Sequence, residues 1–211
     1  LATIIPTSFI SAKSHRAKGN LDEPLFKSLV LPLFIGVVIG SFASGYVSGD
    51  VLSIVFASIA LLVAANMAFR SKAKPVAESL PRSPFKQIMG TFIGGFSTLM
   101  GIGGGTLSVP ILNAFNVPMH RAVGTAAAIG MVISIPGAIG FLLNGWNVEN
   151  TPPLTIGYIN LIGFALIVPM TMWMAPMGAR MANATTAARL KLAFAFFLFI
   201  TAVRMFYGVL G

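Results

Sequence analysis

Two apolar runs, residues 26–47 and 51–69, are separated only by Ser48, Gly49 and Asp50. At 22 and 19 residues, each is close to the roughly 20 residues that a helix needs to cross a hydrocarbon core. A connection of three residues forces the two to lie side by side as a helical hairpin. The rest of the chain follows suit. Of its 211 residues, 56% are hydrophobic and 9% charged, against about 25% charged in a soluble domain, and mean hydropathy is +0.87. These values define an all-α polytopic membrane protein. Further apolar runs cover 88–115, 122–144, 154–178 and 187–210, and residues 1–12 read as the end of a truncated span. The chain starts inside an apolar stretch, with no charged region followed by a cleavage site, so Leu1 onward is not a signal peptide. It reads as a fragment whose upstream part, the N-terminal segment of a first repeat, is missing.

The net charge of +9 does not indicate a nucleic-acid partner, which needs a basic face on a folded module. The basic residues sit in short segments between apolar runs, the pattern that sets orientation in a bilayer. Residues 13–23 carry Lys13, His15, Arg16 and Lys18; residues 70–87 carry Arg70, Lys72, Lys74, Arg82 and Lys86 with Pro75, Pro81 and Pro84. The hairpin places both segments on one side, which is therefore cytoplasmic, and the expected location is the cell (inner) membrane. Cysteine is absent, which excludes disulfides and thiolate metal sites.

A weak internal repeat divides the chain. An offset of 126 pairs Ala2 with Ala128, Ser8 with Ser134, Ala12 with Ala138 and Gly19 with Gly145; an offset of 138 pairs Gly40 with Gly178, Phe56 with Phe194, Ala64 with Ala202 and Met67 with Met205. The expected organisation is the tail of one transmembrane repeat over 1–69, a basic cytoplasmic linker over 70–87 and a second repeat over 88–211. Charge bias is reversed between the halves. The counterpart of 13–23, residues 139–149, has no Lys or Arg, whereas the counterpart of the 46–50 tip is flanked by Arg180, Arg189 and Lys191. Inverted-topology repeats have this property.

Within 88–115 stands Met100-Gly-Ile-Gly-Gly-Gly-Thr-Leu-Ser-Val-Pro110. Glycine is costly inside a helix, and an opened backbone at membrane depth is tolerated only where protein buries it or where it lines a watery cavity. If 88–115 enters and returns on one side, every Lys and Arg except Arg204 falls in cytoplasmic segments; if it crosses, Arg121, Arg180, Arg189 and Lys191 fall outside. The charge pattern thus predicts a re-entrant pair of half-helices turning at Gly101–Gly105. Free amides and a half-helix N-terminus at Gly105–Thr106 would face an anion. The competing reading is close helix packing through small residues, although packing motifs space glycines by four.

Other polar residues are weaker candidates. Gly124, Thr125 and Ser134 could present hydroxyls to a substrate oxygen, or Thr125 and Ser134 could bond back to their own helix. His120 and Arg121 could attract or titrate with an anion, or simply anchor the helix at the interface. Arg204 is placed to snorkel. The acids Asp22, Glu23, Asp50, Glu78 and Glu149 all lie in loops or at helix ends, so no carboxylate relay is expected, and no hydrolase motif occurs. The methionine run Met170, Met172, Met174, Met177 and Met181 is read as packing between helices rather than a copper site. No cofactor, metal or catalytic residue is expected.

Gly101-Ile-Gly-Gly-Gly105, Val109-Pro110-Ile-Leu112, Pro118 and Ala122-Val-Gly-Thr125 resemble the repeated signature of the sulfite exporter TauE/SafE family of membrane permeases. Leu1-Ala-Thr-Ile-Ile-Pro-Thr-Ser8 is similar to the stretch that follows the family's first Gly-Thr-Ser. Two positions depart from the pattern: Val132 stands where proline is frequent and Ala126 where serine is common. The resemblance implies a two-repeat permease for small inorganic or organosulfur anions, with a first glycine motif upstream. The resulting candidate substrate set is Gly101, Gly103, Gly104, Gly105, Thr106, Ser108, Pro110, Gly124, Thr125 and Ser134, with His120 and Arg121 as electrostatic aids. The expected function is export or exchange of a small oxyanion. The alternatives are a non-transporting membrane interaction or assembly protein and a passive anion channel; the partners implied are the anion, the lipid bilayer and further copies of the chain in a homo-oligomer.

Overall fold

The computed structural model describes residues 1–69, 83–146, 148 and 152–210. Eight helices account for nearly all of it: α1 (Ile4–Arg16), α2 (Glu23–Ala43), α3 (Gly49–Phe69), α4 (Phe85–Leu99), α5 (Gly105–Ala114), α6 (Met119–Asn144), α7 (Leu161–Ala184) and α8 (Ala187–Leu210). Five of them, α2, α3, α6, α7 and α8, are long and apolar enough to cross a bilayer. Most of the expected linker, residues 70–82, and Glu149 lie outside the described residues.

Local chemistry sets the ends. Asp22 caps α2 by accepting the Leu25 amide at 3.1 Å, with Pro24 in the first turn, where its missing N–H costs nothing. Asn160 caps α7 by accepting the Gly163 amide at 2.7 Å. The expected span 154–178 is displaced. Residues 155–160 form a two-stranded antiparallel hairpin, β1 (Thr155–Ile156) and β2 (Ile159–Asn160), turned through Gly157 at φ +59°. Pro152 and Pro153 ahead of it cannot continue a helix, so α7 starts later and runs to Ala184, past Arg180.

Packing orders the helices. α2 and α4 run parallel with their backbones in contact: a Cβ on Gly36 would collide with the Thr91 carbonyl, one on Gly94 with the Leu33 carbonyl, and one on Gly40 would lie 2.5 Å from the Gly95 carbonyl. α6 is parallel to α2. Asp22 meets Thr125 at one end (3.1 Å), and Asn144 meets Ser41 at the other (2.7 Å). We call the first the basic end, because Lys13, Arg16, Lys18 and Arg121 gather there.

The stretches matched by the two sequence offsets run in opposite directions. α1 is antiparallel to α6, with Leu1 beside Gly137, Ser8 beside Gly130 and Asn20 beside Gly124. α7 begins beside the end of α6, where Tyr158 donates to the Phe141 carbonyl (3.4 Å), and it ends beside the start of α6, so it opposes α2. α3 and α8 pack antiparallel, with Phe56, Ala60, Ala64, Ala195, Leu198 and Ala202 in one buried cluster.

α4 and α5 do not cross. α4 carries Thr98 to the level of Gly137, and Gly104 then sits against Ile129 and Gly130 near the middle of α6. α5 ends at Ala114, a few residues before α6 starts at Met119. At 1.5 Å per residue, α4 is about 22 Å long, α5 about 15 Å and α6 about 39 Å. The pair therefore enters from the basic end, turns at depth and returns, as the charge pattern predicts.

A candidate anion site at the glycine turn

The turn is built by backbone rules. Gly101 ends α4 at φ +65°, Gly103 follows at φ +76°, and the Gly101 amide donates to the Thr98 carbonyl (2.9 Å) and the Ile102 amide to the Ser97 carbonyl (3.2 Å). These two bonds form a Schellman closure, which satisfies the carbonyls of Ser97 and Thr98 in the last turn. α5 then starts from Gly104, whose carbonyl accepts its first intrahelical bond, from the Ser108 amide at 3.0 Å. The amides of Gly105, Thr106 and Leu107 precede that bond and carry the positive end of the helix dipole. Pro110 is buried in α5; lacking an N–H, it leaves the Thr106 carbonyl without its usual partner.

Hydroxyls surround the turn. Ser97, Thr98, Ser108 and Ser134 are buried. Thr98 bonds back to the Gly94 carbonyl at 2.8 Å, and Ser134 lies 3.4 Å from the Met131 carbonyl. The Oγ atoms of Ser97 and Ser108 are buried with no hydrogen-bond partner. A buried hydroxyl without a partner costs free energy, so these two are available to a ligand that reaches them. Neither Ser97 nor Thr98 was singled out by sequence reasoning; their position in the last turn before a Gly-rich break was the signal that could have found them.

A cavity of about 650 Å³ opens at the end opposite the basic one and reaches Gly101. Thr3, Ser44, Asn144, Tyr158 and Asn160 supply its polar lining, and Ala138 and Phe141 part of its apolar wall.

The expected substrate set separates into two places. Gly101, Gly103, Gly104, Gly105, Thr106, Ser108 and Pro110 form the turn and α5, with Ser134 one helical turn from Gly130, which Gly104 contacts. Gly124, Thr125, His120 and Arg121 lie apart, at the basic end. Gly124 packs against the Asn20 backbone. The buried Thr125 hydroxyl accepts the Asp22 amide. His120 Nε2 donates to the Thr185 carbonyl at 2.9 Å, and Arg121 stands 3.9 Å from Asp22. Beside them His15 is buried, with Nδ1 unpartnered. Burial lowers the pKa of its imidazole, and the positive charge of Lys18 and the proximity of His120 lower it further. The methionine run does not form a cluster between helices: Met170, Met174, Met177 and Met181 stand exposed on α7. Among the described residues no group of His, Asp or Glu is disposed to hold a metal ion.

A family model described as "Sulfite exporter TauE/SafE" matches residues 1–205. A probable membrane transporter protein of Haemophilus influenzae is 29% identical over 97% of this chain and 78% of its own length. Probable membrane transporter proteins of Bacillus subtilis and Methanocaldococcus jannaschii are 29% and 30% identical, and the chain spans 52% and 62% of their lengths. No solved structure matches the chain.

Proposed function

The chain belongs to the sulfite exporter TauE/SafE family, and from that premise we propose that it serves a permease that exports or exchanges a small oxyanion of the sulfite or organosulfonate class across the cell membrane. The observation that carries this reading is the turn itself. A half-helix N-terminus, whose first three amides precede the first intrahelical bond, sits about midway along α6, beside two unpartnered buried hydroxyls and below a cavity with polar lining. A packing role alone would leave no reason for the cavity to reach Gly101. In this reading the basic end is cytoplasmic, and the amides of Gly105, Thr106 and Leu107, with Ser108 and Ser134, replace part of the anion's hydration shell. The positive charge at the cytoplasmic end raises the local anion concentration.

Opposed helix directions support a two-repeat arrangement with 1–69 and 88–211 as its parts. That arrangement assigns α7 a second glycine-broken pair as neighbour, as α4 is to α2, and the exposed methionines of α7 are the surface on which it would rest.

The test is efflux of sulfite or methanesulfonate from loaded proteoliposomes containing the full-length protein that bears this sequence. Saturation and counterflow identify a carrier; flux linear in concentration without counterflow identifies a channel. Absence of flux for every anion identifies an assembly role and ends the proposal.

A further inference from the structure

Three side chains from well-separated positions converge on the last turns of α7. Lys18 Nζ donates to the Ala179 carbonyl at 3.0 Å, Asn20 Nδ2 to Asn183 Oδ1 at 2.9 Å, and His120 Nε2 to the Thr185 carbonyl at 2.9 Å. Lys18 and Asn20 belong to the corner between α1 and α2, and His120 to the first turn of α6. The corner is itself fastened to α6, because the Asp22 amide donates to Thr125 and the Asp22 carboxylate faces Arg121. A polar belt thus ties α1, α6 and α7 together at the basic end, beside a pocket of about 540 Å³ lined by Lys13, Arg16, Glu23 and Lys27, while at the other end a cavity runs in to Gly101. Two of the three bonds end on backbone carbonyls of α7, and one of these, at Thr185, is the C-cap, where a positive or donating group is favoured.

Resting on the transport reading, we infer that this belt is the inner gate of the permease, and that Lys18, Asn20 and His120 are its closure residues. Opening consists of the end of α7 leaving the α1–α2 corner and the start of α6. Several features suit the belt to that task. Its bonds join elements far apart in the chain, so breaking them unfolds no helix. Asn183 is exposed and Lys18, Asn20 and His120 are half-buried, so water can take over the side-chain donors and the Asn183 acceptor as the belt parts. Thr125 and His120 accordingly act on access rather than on the anion.

These 211 residues contain no cysteine, and any cysteine elsewhere in the full-length protein is first replaced by serine. A single Ala138→Cys substitution puts a thiol in the cavity wall of the full-length protein, for reaction with a membrane-impermeant maleimide applied to one face of oriented vesicles at a time. The closed belt should give fast labelling from the cavity side and slow labelling from the basic side. Adding Lys18→Met and Asn183→Ala should raise the basic-side rate about tenfold or more, as when a minor state populated at up to about 10% becomes dominant. An unchanged basic-side rate overturns the proposal. So does a rise equal on both faces, which would report general loosening. In a separate Asn20→Cys/Asn183→Cys protein, bridging the pair with a short reversible thiol reagent should stop efflux, and reduction should restore it. Undiminished efflux from the bridged protein also overturns the gate. If the unbridged protein moves no anion at all, the transport reading fails, and the labelling experiment alone still decides whether the belt opens.

Discussion

Gly104 faces Ile129 so closely that a Cβ on it would lie 2.7 Å from Ile129 Cγ2 and 3.0 Å from the Gly130 amide nitrogen. Its neighbour Gly105 has open space at the same position. Gly104→Ala must displace the turn or α6, at about 1–3 kcal/mol for overpacking, and Gly104→Leu more. Efflux should fall about tenfold or more in Gly104→Leu, whereas Gly105→Ala should keep near-parent rates. Equal loss at both positions would show that glycine content, not this contact, governs the turn.

Gly36 and Gly94 are required by backbone contact between α2 and α4. An alanine at Gly36 meets the Thr91 carbonyl, which cannot rotate away as a side chain can. Gly36→Ala should lower the thermal unfolding midpoint by several degrees, corresponding to about 1–3 kcal/mol. Gly45→Ala, with nothing near its Cβ, is the matched control and should change the midpoint little.

His15 gives the basic end a pH dependence. Its folded pKa is lowered by burial, then by Lys18 and His120, so the unfolded chain takes up the proton first. Stability from this group is therefore unaffected above its unfolded value of about 6.5 and falls as pH drops below it, levelling off once the folded value is passed. Melting curves from about pH 7.5 to about pH 5.5 should show the fall. His15→Gln should flatten that part of the profile; an unaltered slope would assign it to another group.

The charge of the anion should matter as much as its shape. Among the described residues, the turn and the cavity lining contain no Lys or Arg. The cost of taking an ion out of water rises with the square of its charge, on the order of 20 kcal/mol for a single charge in the idealised limit. The attraction of a helix terminus, about half a unit charge, rises only linearly. Methanesulfonate should thus move at least about tenfold faster than sulfate at equal concentration. Faster sulfate flux would point to a cation at the site.

Much of the scaffold was legible because bilayer physics leaves few options. The runs at 26–47 and 51–69 became α2 and α3 with small shifts, and the reversed charge bias anticipated the return of α5 to the end where α4 enters. The glycine turn was legible as a break, and Gly101 after an apolar helix is what a Schellman closure asks for. The polar belt was not legible. Lys18 and Ala179 are 161 positions apart, and no local pattern announces that a loop lysine will find a carbonyl on another helix. The separation of Thr125 from Ser134 was not legible either: both are hydroxyls on one helix, but Thr125 meets Asp22 at the basic end, beside His120 and Arg121, for which an interfacial reading stood from the start. The α7 boundary failed because apolar residues 154–160 satisfied a hydropathy criterion while Pro153 and Gly157 dictated a hairpin.

The contact between the α2 and α4 backbones has one further consequence. Two helices that touch carbonyl to Cα cannot slide along one another without collision, so the depth of the glycine turn is fixed by α2. In the permease proposed above, the amides assigned to the anion would keep their place through a cycle, and only the walls on either side of them would move. A carrier of that kind would expose a stationary ligand to each compartment in turn, rather than ferry it across.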